Sequence, residues 1–183
     1  MALRKASAYS KRKVVPFTRI SKKKGKSYIK TVPPQKIVKF TMGSWDLYRR
    51  GKLTRELRVI SEENVQIRHN ALEACRQYLN KQLDNELFGQ YLFRIPVFPH
   101  HIQRENKMLT GAGSDRMQTG MQLSFGKASG KAAIVKKGKT IFIISVPNEK
   151  AASFTRSVIK KVKSKLPCKI RVLSEEITAP ITA

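Results

Sequence analysis

Two stretches of the chain repeat their apolar positions at intervals of three and four residues. Between about Ile67 and Leu83 the repeating positions are Ala71, Leu72, Cys75, Leu79 and Leu83, with Arg68, Arg76 and Lys81 off the stripe. That spacing predicts an amphipathic helix, its start marked either by Asn70 with Glu73 or by Ser61 with Asn64. A second helix is predicted from its cap at Asn148 to about Lys165, with an inner stripe of Ala151, Ala152, Thr155, Val158, Ile159, Val162 and Leu166. Lys160, Lys161, Lys163 and Lys165 charge its last turns, where cations suit the helix dipole, and Pro167 ends it. Elsewhere the period shortens toward two. Strands are predicted at Lys36 to Thr41, Lys52 to Ser61 with its polar face outward, Tyr91 to Phe98 with Pro96 at an edge or bulge, and Lys169 to Leu173. Ala132 to Lys136 and Thr140 to Val146 read as a hairpin around Lys137-Gly138-Lys139, and Gly43-Ser44 as a turn before Trp45. Strands and helices without regular alternation predict an α+β fold with a mixed or antiparallel sheet and two main helices.

The pattern lapses in two places. Pro99 to Gly130 has five glycines, the cations Arg104, Lys107, Arg116 and Lys127, and no sustained period. A stretch that long without structure of its own is uncommon in a compact domain, so it reads as a functional arm, with glycines and methionines that adapt to an irregular surface. Ahead of Val32-Pro33-Pro34, which reads as a rigid joint, residues 1–31 form the second lapse. Arg4, Lys5, Lys11, Arg12, Lys13, Arg19, Lys22, Lys23, Lys24, Lys26 and Lys30 are interrupted there only by neutral residues, among them Tyr9, Phe17 and Tyr28. Aromatics among cations suit stacking on bases while the charges track phosphates. The reading is therefore a basic extension over 1–31, one α+β domain over 32–173 carrying the arm at 99–130, and a tail over 174–183.

Charge narrows the function. Lys and Arg number 38 against 12 Asp and Glu in 183 residues, a formal charge of +26. The excess is present in the extension, both halves of the domain and the arm alike, which favours a polyanionic partner contacted from several sides. No apolar run approaches a membrane span and the N-terminus has no apolar signal core, so a soluble intracellular protein is expected. The second helix's stripe is small and β-branched, unlike a membrane-inserting face.

Motifs for catalysis are weak. Between Gly120 and Gly126 stand five residues where a Walker A loop has four, and Ala128 occupies the place of its Ser or Thr. Gly111-Ala112-Gly113 lacks the third glycine of a dinucleotide fingerprint. Cys75 and Cys168 have no ligand-spaced companions and read as core residues. His100 and His101 point opposite ways if extended, Asp115 beside Arg116 reads as a loop-shaping pair, and His69 as a helix-boundary residue or RNA contact. No enzymatic activity, metal, cofactor or small-molecule substrate is expected.

Gln66 to Ala74 (Gln-Ile-Arg-His-Asn-Ala-Leu-Glu-Ala), Pro99-His100-His101, Arg104 to Met108, Gly111 to Arg116, Gly120-Met121 and Phe125-Gly126-Lys127 together resemble the large-ribosomal-subunit family called L-ten-e in archaea and eukaryotes, whose bacterial counterpart is L-sixteen. The archaeal branch is most similar, and the resemblance spans roughly Val32 to Leu173. It implies an α+β fold of the hammerhead type, wedged in large-subunit rRNA near the central protuberance and the tRNA sites, in the cytoplasm. It further implies an arm directed at the peptidyl-transferase centre and peptidyl-tRNA, late entry into the assembling subunit, and neighbouring ribosomal proteins and assembly factors as partners. Arg68, His69, Lys127 and the cations of the extension would contact rRNA. Arg104, Asn106, Lys107, Met108, Gly111, Gly113, Asp115 and Arg116 would face tRNA. Gln122, Ala128, Lys131 and Ile134 depart from the family's usual arginine, proline, threonine and arginine.

Overall fold

The computed structural model describes residues 32–105 and 127–177, together with Ser10. The sequence-predicted extension and most of the arm lie outside the described residues. Within residues 32–105 and 127–177, eight strands and three α-helices run in the order β1 (Thr41–Gly43), α1 (Trp45–Arg49), β2 (Arg55–Ser61), β3 (Val65–Arg68), α2 (His69–Leu87), β4 (Leu92–Arg94), β5 (His101–Glu105), β6 (Lys127–Val135), β7 (Thr140–Val146), α3 (Glu149–Val162) and β8 (Ile170–Glu176). A five-stranded sheet is ordered β1-β4-β7-β2-β8 and a three-stranded sheet β3-β6-β5. Every pairing is antiparallel.

Both predicted stripes face inward. Leu72, Cys75, Leu79 and Leu83 of α2 and Ala151, Ala152, Thr155, Val158, Ile159 and Val162 of α3 are buried, and the two helices pack on one another. One hydrophobic cluster joins them to Leu57, Val59, Phe93 and Phe142 of the larger sheet and to Ile67, Ala133 and Val135 of the smaller. The sheets therefore share a core. Both cysteines lie in it, and burial pushes the Cys75 thiol up to about 12, which keeps it an inert packing group.

Several boundaries differ from the periodicity. Of the first predicted strand, Lys36 to Thr41, only Thr41 lies in β1, which instead runs on through Gly43, a residue expected in a turn; Gln35 Nε2 donates to Ile37 O (2.7 Å), and the partner strand β4 is itself three residues long. Pro96 lies past the end of β4, which is paired on both sides. After Gly43 the chain enters α1, with Ser44 Oγ accepting from Leu47 N (3.4 Å) and Asp46 in the first turn. The helix predicted from Ile67 begins two residues later, since Val65 to Arg68 form a strand along β6. Neither suggested cap is used: Arg68 stands at the N-cap and its side chain makes no capping bond to the helix, Asn64 Oδ1 accepts from Lys137 N, and Glu73 pairs with Arg76. That helix runs on to Leu87, where Phe88 and then Gly89 turn left-handed. The last strand continues to Glu176, so the tail starts later than Ser174; Glu175 and Glu176 pair in register with Glu56 and Arg55. The outward polar face of β2 has one exception, Glu56, buried against Arg58 Nε (2.6 Å) and Arg94 (3.7 Å).

The predicted hairpin is corrected. The turn exists, with Lys139 N donating to Lys136 O (3.1 Å) and Gly138 at φ +83°, but β6 and β7 belong to different sheets. Ser61 binds the turn on both sides, donating to Lys139 O and accepting from Gly138 N, while β3 pairs with β6 from Ala132 to Val135. The segment predicted as arm is also shorter than Pro99 to Gly130. Its ends are β5 and the start of β6.

Gly43 carries the tightest backbone approach. At φ +89° its absent Cβ would lie 2.1 Å from Tyr91 O, the carbonyl that accepts from Ser44 N. Gly43→Ala is expected to destabilise the chain by about 2–4 kcal/mol, through left-handed strain and displacement of β1 from β4. Denaturant melts of the two chains test this; a loss under about 0.5 kcal/mol would show that the strand pair yields freely.

Candidate nucleic-acid interface

Residues 106–126 join two strands that are already paired. β5 and β6 match His101 with Ala132, Ile102 with Lys131 and Gln103 with Gly130, then shift register and match Arg104 with Ala128 and Glu105 with Lys127. β3 pairs with β6 only from Ala132 to Val135, so the two points where the segment leaves and returns are set by the β5–β6 ladder, which β3 anchors at its base. A bulge of this kind twists a strand pair and re-aims what it carries.

Polar side chains lock the base of this stalk. Arg68 Nε donates to Gln103 Oε1 (2.9 Å), Gln103 Nε2 to Gln66 Oε1 (3.4 Å), and Ser129 Oγ to Gln103 O (3.3 Å). Gln66 and Gln103 are buried, so their amides are held by partners rather than by water. Ala128, Gly130 and Ala132 on the intervening strand keep its side chains short. The His69 ring uses that room, with Nε2 3.4 Å from where a Cβ on Gly130 would stand.

His69 is buried and accepts from Lys36 N at Nδ1 (3.3 Å), which requires the unprotonated nitrogen there. Burial, and then Lys36, Arg68 and Lys131, lower its pKa; burial also lowers that of His101. Each ring is thus neutral when folded and more basic when unfolded. Their contribution is complete above the ordinary value of 6.5 and is lost as pH falls below it toward the depressed folded values. The melting temperature is expected to drop between pH 7.5 and 5, above the range where carboxylates titrate, and the drop should shrink in His69→Gln. An unchanged slope in that variant would sink this account.

Four of the twelve acids, Glu56, Glu149, Glu175 and Glu176, lie on the larger sheet and α3, while Glu62 and Glu63 directly follow β2. Arg55 meets Glu149 (3.0 Å) and Glu176 (2.9 Å), Arg58 meets Glu175 (3.2 Å), and Arg156 meets Glu149 (2.9 Å). At the opposite end of β2, hydrogen bonds from Ser61 N to Lys139 O and from Glu62 N to Lys169 O bring the turn at Lys136, Lys137 and Lys139 beside Lys169. All four lysines are exposed, as are Lys160, Lys161, Lys163 and Lys165 on the last turns of α3 and the 3-10 turn after it. Among the described residues no ion pair engages these lysines. Such a surface suits a row of phosphates.

Residues 15–173 match the family described as "Ribosomal protein L16p/L10e". The chain belongs to that family. It is 43% identical over 175 residues to the large ribosomal subunit protein uL16 of Methanococcus maripaludis, covering 94% of this chain and 95% of that one. It is 37% identical to the protein of that name from Thermofilum pendens, over 96% of this chain and 99% of the other, and 39% identical to that from Hyperthermus butylicus, over 98% and 99%.

Within this family member, four of the residues singled out from sequence lie along the stalk: Arg68 at the end of β3 and His69 at the start of α2 are at its base, and Arg104 on β5 and Lys127 on β6 are at its far end. Arg4, Lys5, Lys11, Arg12, Lys13, Arg19, Lys22, Lys23, Lys24 and Lys26 lie outside the described residues, as do Asn106, Lys107, Met108, Gly111, Gly113, Asp115 and Arg116. The histidine pair divides as alternation implies, His100 exposed and His101 buried. Periodicity gave no notice of the Gln66–Gln103 contact. Its one signal was a glutamine between apolar neighbours, in Val65-Gln66-Ile67 and beside Ile102. Among the described residues no helix is long and apolar enough to cross a membrane, and no group of His, Cys, Asp and Glu could hold a metal.

Proposed function

We propose that this chain is a structural constituent of the large ribosomal subunit that binds large-subunit rRNA near the central protuberance and the tRNA sites. Residues 106–126 reach toward the peptidyl-transferase centre and peptidyl-tRNA, and the protein supports translation and the late stage of subunit assembly. One observation carries the reading: a chain of the L16p/L10e family, at +26, holds this segment on a fixed antiparallel stalk. Its relatives bear the name of a large-subunit protein. The lysine end and the cations of residues 1–31 neutralise rRNA phosphates, with Arg68 and Lys127 placed where the stalk meets RNA. His69 supports that junction from within. Arg104, Asn106, Lys107, Met108, Gly111, Gly113, Asp115 and Arg116 present the stalk's far end to tRNA. Neighbouring ribosomal proteins and assembly factors complete the set of partners.

The test is sedimentation of a native lysate through a high-salt sucrose gradient, following the chain by mass spectrometry. Stoichiometric recovery with the large subunit is expected. Recovery only at the top of the gradient, with ribosomes intact, would replace this reading with a free RNA-binding factor.

A further inference from the structure

A ladder of three rings lies on the surface where the chain approaches β5. Phe40 and Phe98 stack with centroids 5.1 Å apart and planes 25° apart, and Phe98 meets the His100 ring at 4.5 Å. From Pro96 to His101 burial alternates strictly: Val97, Pro99 and His101 are buried while Pro96, Phe98 and His100 are exposed. Phe98, 43% exposed, therefore occupies a position that alternation reserves for a polar side chain. Single exposed apolar residues need no explanation, but this ring is part of an ordered row.

The row is held by backbone. His100 N donates to Phe98 O (3.0 Å) across Pro99, a three-residue turn whose central φ is fixed by the proline ring, and this keeps residues 98 and 100 together. Ile95 N donates to Phe40 O (2.8 Å), which ties the third ring's segment alongside. Little side-chain freedom is left to lose on binding.

The surroundings select the partner. Neither Val32 to Trp45 nor Phe88 to Arg104 contains an Asp or Glu, while Lys36, Lys39 and Arg104 fall within them, as does Arg94, which contacts Glu56. A row of rings, with planes 25° and 43° apart, on segments that carry cations matches a nucleobase whose phosphates lie beside it. An acidic peptide would satisfy the cations and leave the rings uncovered. A membrane would call for aliphatic side chains that insert, rather than rings already stacked on one another.

We infer that the Phe98–His100 face is a stacking platform for an unpaired base of large-subunit rRNA, with exposed Lys36 and Lys39 beside its phosphates. This rests on the ribosomal reading above and adds to it a contact that lies outside the segment 106–126.

The test uses large subunits purified from cells whose only copy of the chain is wild type, Phe98→Ala, Phe98→Leu or Phe98→Trp, probed by 2′-hydroxyl acylation of the rRNA. A base stacked on the row that Phe98 holds together is restrained. Its nucleotide is expected to become about ten-fold more reactive with alanine or leucine and to return toward wild type with tryptophan, in line with the order of magnitude that a stacked base contributes. Leucine keeps the apolar bulk, so its agreement with alanine separates stacking from loss of fold. Unchanged reactivity at every nucleotide, in subunits that contain the leucine chain stoichiometrically, would overturn the platform and leave the ribosomal reading intact. So would a photo-crosslink from a benzoylphenylalanine at position 98 that joins a protein instead of RNA. Absence of the wild-type chain from the subunits would instead overturn the ribosomal reading itself.

Discussion

Raising the salt concentration from 50 to 200 mM is expected to weaken binding of the isolated chain to large-subunit rRNA by about three to five orders of magnitude. Each phosphate neutralised by Lys or Arg releases condensed counterions, and the equilibrium constant falls with salt as a power set by the number of such contacts. The 12 acids cannot compensate the 38 cations, and several of those acids are committed elsewhere. Glu149, Glu175 and Glu176 neutralise Arg55, Arg58 and Arg156. The lysines of the 136–139 turn, Lys169 and the end of α3 are left to meet phosphate. With about eight contacts the logarithmic slope is roughly −7, and replacing Lys136, Lys137, Lys139 and Lys169 by glutamine should reduce it by about four. Filter binding or fluorescence titration at four salt concentrations measures both. A wild-type slope shallower than about −2 would mean that shape, not charge, dominates the isolated complex. A slope unaltered in the four-lysine variant would place the phosphates on another surface. Arg55→Gln is the useful comparison, because that guanidinium is already paired with Glu149 and Glu176 and its loss should leave the slope nearly unaffected.

Replacing residues 106–126 by a two-residue Asn-Gly turn is expected to leave the chain folded and present in the large subunit while reducing peptide synthesis at least about ten-fold, the scale at which lost positioning shows. Glu105 and Lys127 are cross-strand partners, so a short turn can close the ladder between them. The position of the cut matters. His101, Ile102 and Gln103 are buried, and a deletion starting at Pro99 or His101 would remove β5 and the partner of Arg68 along with the reaching segment. Thermal melts, co-sedimentation and a peptidyl-transfer assay on the purified ribosomes separate the possibilities. Loss of folding would make 106–126 part of the core. Normal synthesis from subunits carrying the shortened chain would remove the tRNA-facing role.

The segments that were legible in the sequence share one physical property: their side chains report a local periodicity that tertiary contact does not alter. The stripe of α3 is the clearest case, because every one of its positions from Ala151 to Val162 faces the core. The alternation from Pro96 to His101 separated an exposed His100 from a buried His101 in the same way. The stalk was less legible. Arg104 and Lys127 read as members of an arm because Ile102 is the one large apolar side chain of β5, and the stretch of β6 from Lys127 to Gly130 offers only Ala128 beside a cation, a serine and a glycine. Small side chains carry little hydropathic signal even when their burial is complete.

Sequence alone was enough for the inward faces of both main helices, the excess of cations, and the motifs that identify the family. Only the tertiary structure decided which strands are neighbours. Periodicity states which face of a strand is apolar, and it is silent on the edge, because the backbone N–H and C=O groups that make a ladder are the same in every residue. For that reason Ala132 to Lys136 and Thr140 to Val146 read as a hairpin, yet enter different sheets once Ser61 has engaged their turn. The burial of Glu56, Gln66 and Gln103 was settled at the same level, since a buried polar group is tolerated only where a partner from elsewhere in the chain arrives to satisfy it.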